Sequence, residues 1–180
     1  MLGLLWLKSQ IRVSSNSWMV FLGSGGHTGE MIRILEQVQP VNPIFVHGAG
    51  DELSKTRVAA IFKDTQFIAV PRARKVGQSW VSTVPTSLQS LARCLQIVAH
   101  HNPRFLVVNG PGTCVMVALS VLLCRPLGVK TKIVYIESLA RVSSLSLSGK
   151  LLYPLADAFV VQWPGLQKKY PRARYLGLVV

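Results

Sequence analysis

Six short apolar segments, separated by stretches compatible with helices, constrain the fold of this 180-residue chain more than any other feature. Each segment is apolar almost throughout, which is typical of strands buried on both faces of a parallel sheet. The segments span residues 18–22, 44–47, 65–70, 104–108, 132–136 and 158–162. This alternation predicts an α/β fold, in which one Rossmann-like parallel sheet has helices on both of its faces.

Helices are expected between these strands. They are predicted from Met31 onward and at residues 52–62, 80–99 and 114–124. Pro85 is expected near the start or at a kink of its helix. The apolar run that ends at Cys124 is stopped by a basic residue and a proline, so it is shorter than the roughly 20 residues that cross a bilayer. We therefore predict a core helix there.

A chain of this length with 49% hydrophobic residues can form one domain with a proper core, and we assign residues 17–180 to it. Residues 1–16 form a short apolar and basic segment. It is either a membrane-associated remnant of an anchor, or a strand or disordered start. The three cysteines show no metal-ligand spacing, and their odd number argues against a disulfide framework. We expect reduced thiols, no metal site and a protein that faces the cytosol.

The chain is strongly basic, with 20 basic residues against seven acidic ones and a formal net charge of +13. A positive charge of this size indicates an anionic partner or surface. Nucleic acid, acidic phospholipid and phosphorylated substrates all satisfy this condition. Because the sequence has no recognised nucleic-acid-binding motif and few aromatic residues among its basic ones, we expect no nucleic-acid partner.

A glycine-rich segment, Gly-Ser-Gly-Gly-His-Thr-Gly-Glu at residues 23–30, connects the first strand to the first helix. Closely spaced glycines let the backbone approach a ligand, and the amides at a helix N-terminus favour an anion such as pyrophosphate. The residues predicted to bind pyrophosphate are Ser24, Gly25, Gly26, His27 and Thr28. The simpler interpretation is a structural turn, for which three glycines and a histidine would be unusual.

This glycine loop matches neither of the common nucleotide-binding fingerprints. The third glycine of G-x-G-x-x-G falls on Thr28, and no acidic residue closes the second strand, where a ribose would be held. The Walker pattern is absent from the sequence as well. A stand-alone nucleotide-binding Rossmann protein is therefore the alternative hypothesis and not the leading one.

Polar residues also follow the fourth and fifth strands. Because ligands of parallel sheets bind beyond the carboxyl ends of the strands, these residues are expected to line one cleft with the glycine loop. Asn109 and Thr113 could also cap the helix that follows them. The cleft residues are Asn109, Gly110, Gly112 and Thr113 after the fourth strand, and Glu137, Ser138 and Arg141 after the fifth.

His27 and Glu137 are the candidate catalytic residues. His27 could accept a proton as a base, or it could donate a hydrogen bond to a phosphate. Glu137 follows an apolar strand and could act as the base or bind a sugar. Its alternative role is an ion pair with Arg141, four residues further on, at a spacing that helices favour.

The segment at residues 71–80 combines cationic and apolar groups. Arg72, Arg74 and Lys75 lie close to Trp80, as on a surface that contacts anionic lipid and a lipid-linked acceptor. The opposing interpretation is a solvated charge run whose apolar neighbours lie in the core. We expect the membrane contact.

Four ordered motifs together resemble the Alg14 family. The glycine loop is similar to that of the acceptor-binding half of MurG-type GT-B glycosyltransferases, which handle lipid-linked pyrophosphates. The second motif is Pro-Arg-Ala-Arg-Lys-Val-Gly-Gln-Ser-Trp at 71–80, and the third is Tyr-Ile-Glu-Ser-Leu-Ala-Arg-Val at 135–142 with Leu-Ser-Leu-Ser-Gly-Lys at 145–150. The fourth is Val-Val-Gln-Trp-Pro at 160–164 with Lys-Tyr-Pro at 169–171 and Tyr-Leu-Gly at 175–177.

The resemblance implies half of a split enzyme. This chain would be the membrane-associated, acceptor-side subunit of the transferase that adds the second N-acetylglucosamine to N-acetylglucosaminyl-diphospho-dolichol, at the cytosolic face of the endoplasmic reticulum membrane. A separate subunit of the Alg13 type would bind the UDP-N-acetylglucosamine donor, so this chain would bind no cofactor itself and would be inactive alone. The resemblance favours a site role for Glu137. The residues it assigns to the partner interface are Tyr175, Leu176, Gly177, Leu178, Val179 and Val180.

Two features depart from the family pattern. Relatives usually begin with a transmembrane helix, for which residues 1–7 are too short, so a truncated chain or peripheral membrane binding is expected. In relatives a basic residue often follows the glycine near the end, whereas Leu178 follows Gly177 here. The details of partner contact are expected to differ accordingly.

Overall fold

The computed structural model describes residues 16–74, 77–110 and 112–179. At its centre is a sheet of seven parallel strands in the order β3-β2-β1-β4-β5-β6-β7. The predicted parallel α/β fold is confirmed. The strands are β1 (Trp18–Leu22), β2 (Pro43–Gly48), β3 (Gln66–Val70), β4 (Phe105–Val108), β5 (Lys132–Ile136), β6 (Ala158–Val161) and β7 (Arg174–Tyr175).

Helices connect the successive strands, as a parallel sheet requires. They are α1 (Gly26–Val38), α2 (Glu52–Ala59), α3 (Trp80–His101), α4 (Thr113–Cys124), α5 (Leu147–Leu152) and α6 (Pro164–Lys169), with a 3-10 turn at Arg125–Leu127. Among the described residues, no helix combines the length and the apolar character needed to cross a membrane.

The side chains of β1 alternate between two apolar layers, one on each face of the sheet. Met19 and Phe21 belong to the layer that contains residues of α3 and α4. Val20 and Leu22 belong to the other layer, together with residues of α1. None of these four side chains is more than 2% exposed. The strand is therefore buried on both faces, as its continuous apolar sequence predicts.

Strand β1 pairs with β2 on one side and with β4 on the other. The chain winds from β1 outward to β3, and it then crosses back to β4 and winds in the opposite direction. At such a reversal the loops after the two central strands diverge and leave a crevice at the carboxyl edge of the sheet. The described residues that border this crevice are 23–25 after β1, and 109, 110 and 112 after β4.

Two details differ from the sequence prediction, and one agrees with it. Helix α1 begins at Gly26 and not near Met31, so most of the glycine-rich segment is helical. Pro85 lies inside α3, near its N-terminal end, as expected. The short elements α5, α6 and β7 were not predicted, since they contain only six, six and two residues.

The three cysteines are free thiols that lie buried in the domain. Burial raises the pKa of both Cys94 and Cys114 to about 12, so these thiols stay protonated at neutral pH. Their burial as free thiols agrees with the expectation of reduced cysteines.

Candidate functional site

A hydrogen-bonded network joins α1 to the loops after β4 and β5 at the crevice. Asn109 Nδ2 donates to Glu30 Oε2 at 2.9 Å, and the Ser138 hydroxyl donates to Glu30 Oε1 at 2.7 Å. On its other side, Asn109 Oδ1 lies 2.8 Å from His27 Nδ1. The fold therefore brings together three of the predicted site residues, His27, Asn109 and Ser138.

Glu30 is the centre of this network, and the sequence prediction missed it. The available signal is its spacing from His27, because two residues three positions apart lie on one face of a helix. The Glu30 side chain is 17% exposed, and its Oε2 lies 3.9 Å from His27 Nδ1. Because α1 begins at Gly26, both residues are helical and their side chains lie on the same face.

The His27 ring packs directly on the backbone of Gly110. A Cβ at position 110 would lie 3.0 Å from the ring Cγ, and the φ angle of Gly110 is +103°, a conformation that side-chain-bearing residues rarely adopt. The His27 side chain is 33% exposed. Glycine at position 110 therefore lets the imidazole lie in the crevice, held on one edge by Asn109.

The glycine loop exposes its first residues and buries its last. Residues 24–26 are exposed, and Gly25 has a φ angle of +66° at the N-terminus of α1. The Thr28 side chain is fully buried, where its hydroxyl donates to the Gly23 carbonyl and lies 2.6 Å from the Ser54 hydroxyl. This corrects the prediction for Thr28, because its side chain anchors the loop to α2 and does not face the crevice.

Asp51 continues this chain of hydrogen bonds. Its carboxylate accepts from the backbone N–H of Ser54 at 3.3 Å and from the Ser54 hydroxyl at 2.8 Å, and it caps α2. A carboxylate used in this way does not reach a ribose, in agreement with the missing dinucleotide fingerprint. Within the described part of the chain, no group of three or more His, Cys, Asp or Glu side chains is placed to hold a metal ion.

Glu137 lies behind the crevice, in a closed pocket of hydrogen-bond donors. The residue is 1% exposed. Its carboxylate accepts from the backbone N–H groups of Ser146 at 2.9 Å and Ser138 at 3.1 Å, and from the Ser146 hydroxyl at 3.1 Å. A Cβ on Gly149 would overlap Glu137 Oε2. Burial and the nearby Glu137 charge raise the pKa of the Tyr135 phenol, whose hydroxyl also faces this carboxylate.

These contacts correct both predictions for Glu137. The carboxylate has no exposed edge with which to reach an acceptor, so its role is to hold the loop that follows β5. Residues 137–141 are not helical, and Arg141 is exposed. Among the ion pairs of the described residues, none joins Glu137 to Arg141.

The prediction that Asn109 and Thr113 cap the following helix is also wrong. The N-cap of α4 is Gly112, and no side chain caps this helix. Asn109 is used in the network with Glu30, whereas the Thr113 hydroxyl accepts from the backbone N–H of Ala73 at 3.1 Å. Thr113 therefore ties the segment after β3 to the start of α4.

That segment carries the cationic residues of the predicted membrane face. Arg74 donates two hydrogen bonds to the Gln78 carbonyl, at 2.9 and 3.1 Å. The stem of Arg72 lies against Gly48, where a Cβ would come within 3.2 Å of the arginine Cγ. Lys75 lies outside the described residues. Both described arginines thus have a local structural role beside any contact with lipid.

Helix α3 exposes an apolar strip directly after this cationic segment. Val81, Val84 and Leu88 are 86%, 58% and 61% exposed, at positions that share one face of the helix. The side chain of Trp80 lies outside the described part of the structure, although its backbone begins α3. The described strip agrees with an apolar surface beside a basic one.

An apolar groove of about 260 Å³ lies on the opposite face of the sheet, beside α1. It is lined by Trp18, Ile34, Leu35, Gln37, Val38, Phe105, Val107, Val134, Ile136, Val160, Leu176 and Val179. Two of these, Leu176 and Val179, belong to the predicted partner interface. The C-terminal segment therefore forms one border of an uncovered apolar surface.

The C-terminal segment is held against the domain by its backbone. The N–H of Val179 donates to Gln162 Oε1 at 3.0 Å. Tyr175 ends β7, whereas Leu176 and Leu178 are 65% and 58% exposed. Gly177 has a φ angle of +88°, and Val180 lies beyond the described residues. The segment is anchored and still presents apolar side chains to solvent.

The parallel sheet with its crevice between β1 and β4 defines a GT-B-like Rossmann domain. Among solved structures, MurG of Acinetobacter baumannii is similar with a TM-score of 0.60 and 13% identity, over 82% of this chain and 41% of that one. A Listeria monocytogenes protein assigned as a UDP-N-acetylglucosamine 2-epimerase has a TM-score of 0.64 and 11% identity, over 88% and 42%. The chain spans about two fifths of each structure, and the likeness is one of fold.

The chain belongs to the Alg14 family. The family model described as "Oligosaccharide biosynthesis protein Alg14 like" matches residues 18–179. Relatives named UDP-N-acetylglucosamine transferase subunit ALG14 include that of Yarrowia lipolytica, 44% identical over 93% of this chain and 82% of the relative. The human relative of that name is 41% identical over 92% and 84%. The predicted family is confirmed, and a stand-alone nucleotide-binding protein is not favoured.

Proposed function

We propose that this chain is the acceptor-side subunit of a UDP-N-acetylglucosamine transferase with two components. It binds N-acetylglucosaminyl-diphospho-dolichol at the cytosolic face of the endoplasmic reticulum membrane, while an Alg13-type subunit binds the donor. Family membership and the shared name of the relatives, transferase subunit, support this proposal. The observation that carries the acceptor-side role is the exposed glycine loop beside a partly exposed, oriented His27.

The reaction joins an acceptor hydroxyl oxygen to the anomeric carbon of the donor sugar. As this bond forms, the bond from the anomeric carbon to UDP breaks, the electron pair leaves with UDP, and the hydroxyl proton passes to a base. In this proposal the base is His27. The acceptor pyrophosphate lies against residues 24–26, where the free amides of the α1 N-terminus favour an anion.

Reconstitution tests the proposed function. The chain is expected to co-purify with a donor-binding subunit, and the pair is expected to transfer N-acetylglucosamine from UDP-N-acetylglucosamine to a diphosphate-linked lipid acceptor. The chain alone should show no transfer, because a single GT-B-like domain supplies only half of the cleft. Transfer by the isolated chain, or none by the purified pair, contradicts the proposal.

The apolar groove is the surface that we assign to the donor-binding subunit. Leu176→Asp places a charge at its border and is expected to weaken binding of that subunit about tenfold or more, since an apolar contact is lost and a charge is desolvated. Binding is measured by titration of the labelled partner. Leu123→Asp is the matched control, because Leu123 is 53% exposed at the end of α4, on the other face of the sheet. Equal losses in both variants contradict the assignment.

The apolar strip of α3 is the surface that we assign to the membrane. The double variant Val81→Asp/Val84→Asp is expected to reduce co-sedimentation with vesicles of phosphatidylcholine and phosphatidylserine about tenfold, because two apolar contacts are replaced by charges that anionic lipid repels. Leu123→Asp again serves as the control and should sediment like the unchanged chain. Retained binding of the double variant would place the membrane contact elsewhere in the chain.

A further inference from the structure

We propose that Glu30 is a positioning residue, which acts through Asn109 to hold His27 in the tautomer that carries its hydrogen on Nδ1. The unprotonated Nε2 then faces the crevice as a proton acceptor. This inference rests on the proposed function and deepens it. It decides between the two roles left open for His27, because a neutral ring with this tautomer cannot donate a hydrogen bond from Nε2 to a phosphate.

The Asn109 amide has only one orientation that is compatible with Glu30. An ionised carboxylate only accepts hydrogen bonds, so the part of Asn109 that lies 2.9 Å from Glu30 Oε2 must be the NH2 group. A reversed amide would bring two oxygen atoms together. The Ser138 hydroxyl, 2.7 Å from Glu30 Oε1, holds the carboxylate in place from the β5 side. The chemistry of Glu30 therefore fixes the amide.

The orientation of Asn109 in turn determines which ring nitrogen of His27 carries the hydrogen. With its NH2 group on Glu30, Asn109 presents Oδ1 to His27 Nδ1 at 2.8 Å. An amide oxygen only accepts, so Nδ1 must be the donor and carry the hydrogen. Asn109 is fully buried, and water does not compete for its oxygen. Free histidine prefers the other tautomer, so the network imposes a form that the ring would not adopt by itself.

The other ring nitrogen of His27, Nε2, is left available to accept a proton. Within the described part of the chain, His27 Nε2 has no hydrogen-bond partner, and the His27 side chain is 33% exposed. The His27 ring packs on the backbone of Gly110. Glu30 Oε2 is 3.9 Å from Nδ1, beyond hydrogen-bond range, so the carboxylate acts on the ring through Asn109. Nε2 is thus presented to the crevice with its lone pair free.

The tautomer can be measured directly in the full chain by nitrogen NMR after labelling with 15N-histidine. The chain has four histidines, and His27→Gln assigns the signal of interest. We expect the Nδ1–H form in the unchanged chain at a pH where the ring is neutral. Glu30→Ala should shift the ring toward the Nε2–H form. Glu36→Gln, which removes an exposed charge on the same helix, should leave the tautomer unchanged.

Three outcomes of this measurement overturn the inference. They are an Nε2–H form in the unchanged chain, a tautomer that survives Glu30→Ala, and an equal shift in Glu36→Gln. If Glu30→Ala does not fold, Glu30→Gln provides the same test at constant volume. Glutamine can either donate or accept, so it no longer compels the Asn109 orientation, and a partial shift is expected. An unchanged tautomer in that variant also contradicts the role of Glu30.

Kinetics of the reconstituted pair give a second readout. Glu30→Ala should lower kcat about 10- to 100-fold and change the acceptor KM less than about twofold. The double variant Glu30→Ala/Asn109→Ala should be no slower than Asn109→Ala, because Glu30 acts only through that amide. Multiplied losses in the double variant overturn the relay. If the unchanged pair shows no transfer, the proposed function is contradicted. The NMR measurement on the chain alone still tests the tautomer, because it does not depend on activity.

Discussion

His27→Gln is expected to lower kcat of the reconstituted transferase about 10²- to 10⁴-fold, the range over which a general base contributes. Glutamine has a similar length and retains hydrogen-bonding groups, but it cannot take up the proton of the attacking hydroxyl. The His27 ring already fits against Gly110, so the smaller glutamine side chain introduces no clash there. Initial rates at saturating donor and varied acceptor separate kcat from KM.

The pattern of this kinetic change is as informative as its size. A base acts in the transition state, so kcat and kcat/KM should fall together while the acceptor KM stays nearly constant. A raised KM with unchanged kcat would show that His27 only binds the pyrophosphate. His100→Gln is the matched control, because His100 lies in the last turn of α3, at the opposite end of that helix from the crevice edge. It should retain full activity.

The strands could be predicted because of how they are buried. A central parallel strand such as β1 packs against helices on both faces, so its sequence is continuously apolar and visible without a structure. The edge strand β7 consists of two exposed residues and leaves no such pattern. Helices α5 and α6 are too short for an apolar period to emerge. The elements that could be predicted are therefore those whose sequence pattern is determined by burial in the core.

The site was predicted less completely, for two physical reasons. Glycine has a low helix propensity, so the sequence predicts that α1 begins near Met31, whereas it begins at Gly26. Glu30 was therefore assigned to a loop. Glu137 does follow a strand at the crevice edge, but the direction of its side chain is set by contacts with Ser146 and Gly149, in the loop and helix that follow. Sequence position indicates which residues approach an edge. It does not determine whether a side chain faces solvent or the interior.

Gly149→Ala is expected to destabilise the domain by about 3 kcal/mol or more, although it replaces a glycine inside a helix. Helix propensity alone favours alanine by roughly 0.5–1 kcal/mol. The added methyl group would overlap Glu137 Oε2, so the buried carboxylate must leave its hydrogen bonds to Ser146 and Ser138. Hydrogen bonds to a charged group contribute about 1.5–3 kcal/mol each, and this loss outweighs the propensity gain. Urea unfolding measures the difference.

Two further variants determine whether the Glu137 carboxylate is the cause. Gly165→Ala is the matched control, because Gly165 lies in helix α6 and its added Cβ would meet no atom within 4 Å. It should be neutral or slightly stabilising. In a Glu137→Ala background the overlap is gone, so Gly149→Ala should cost much less than in the unchanged chain. An equal cost in both backgrounds would show that Gly149 is required by something other than the carboxylate, and Glu137 would lose its assigned role in holding the β5 loop.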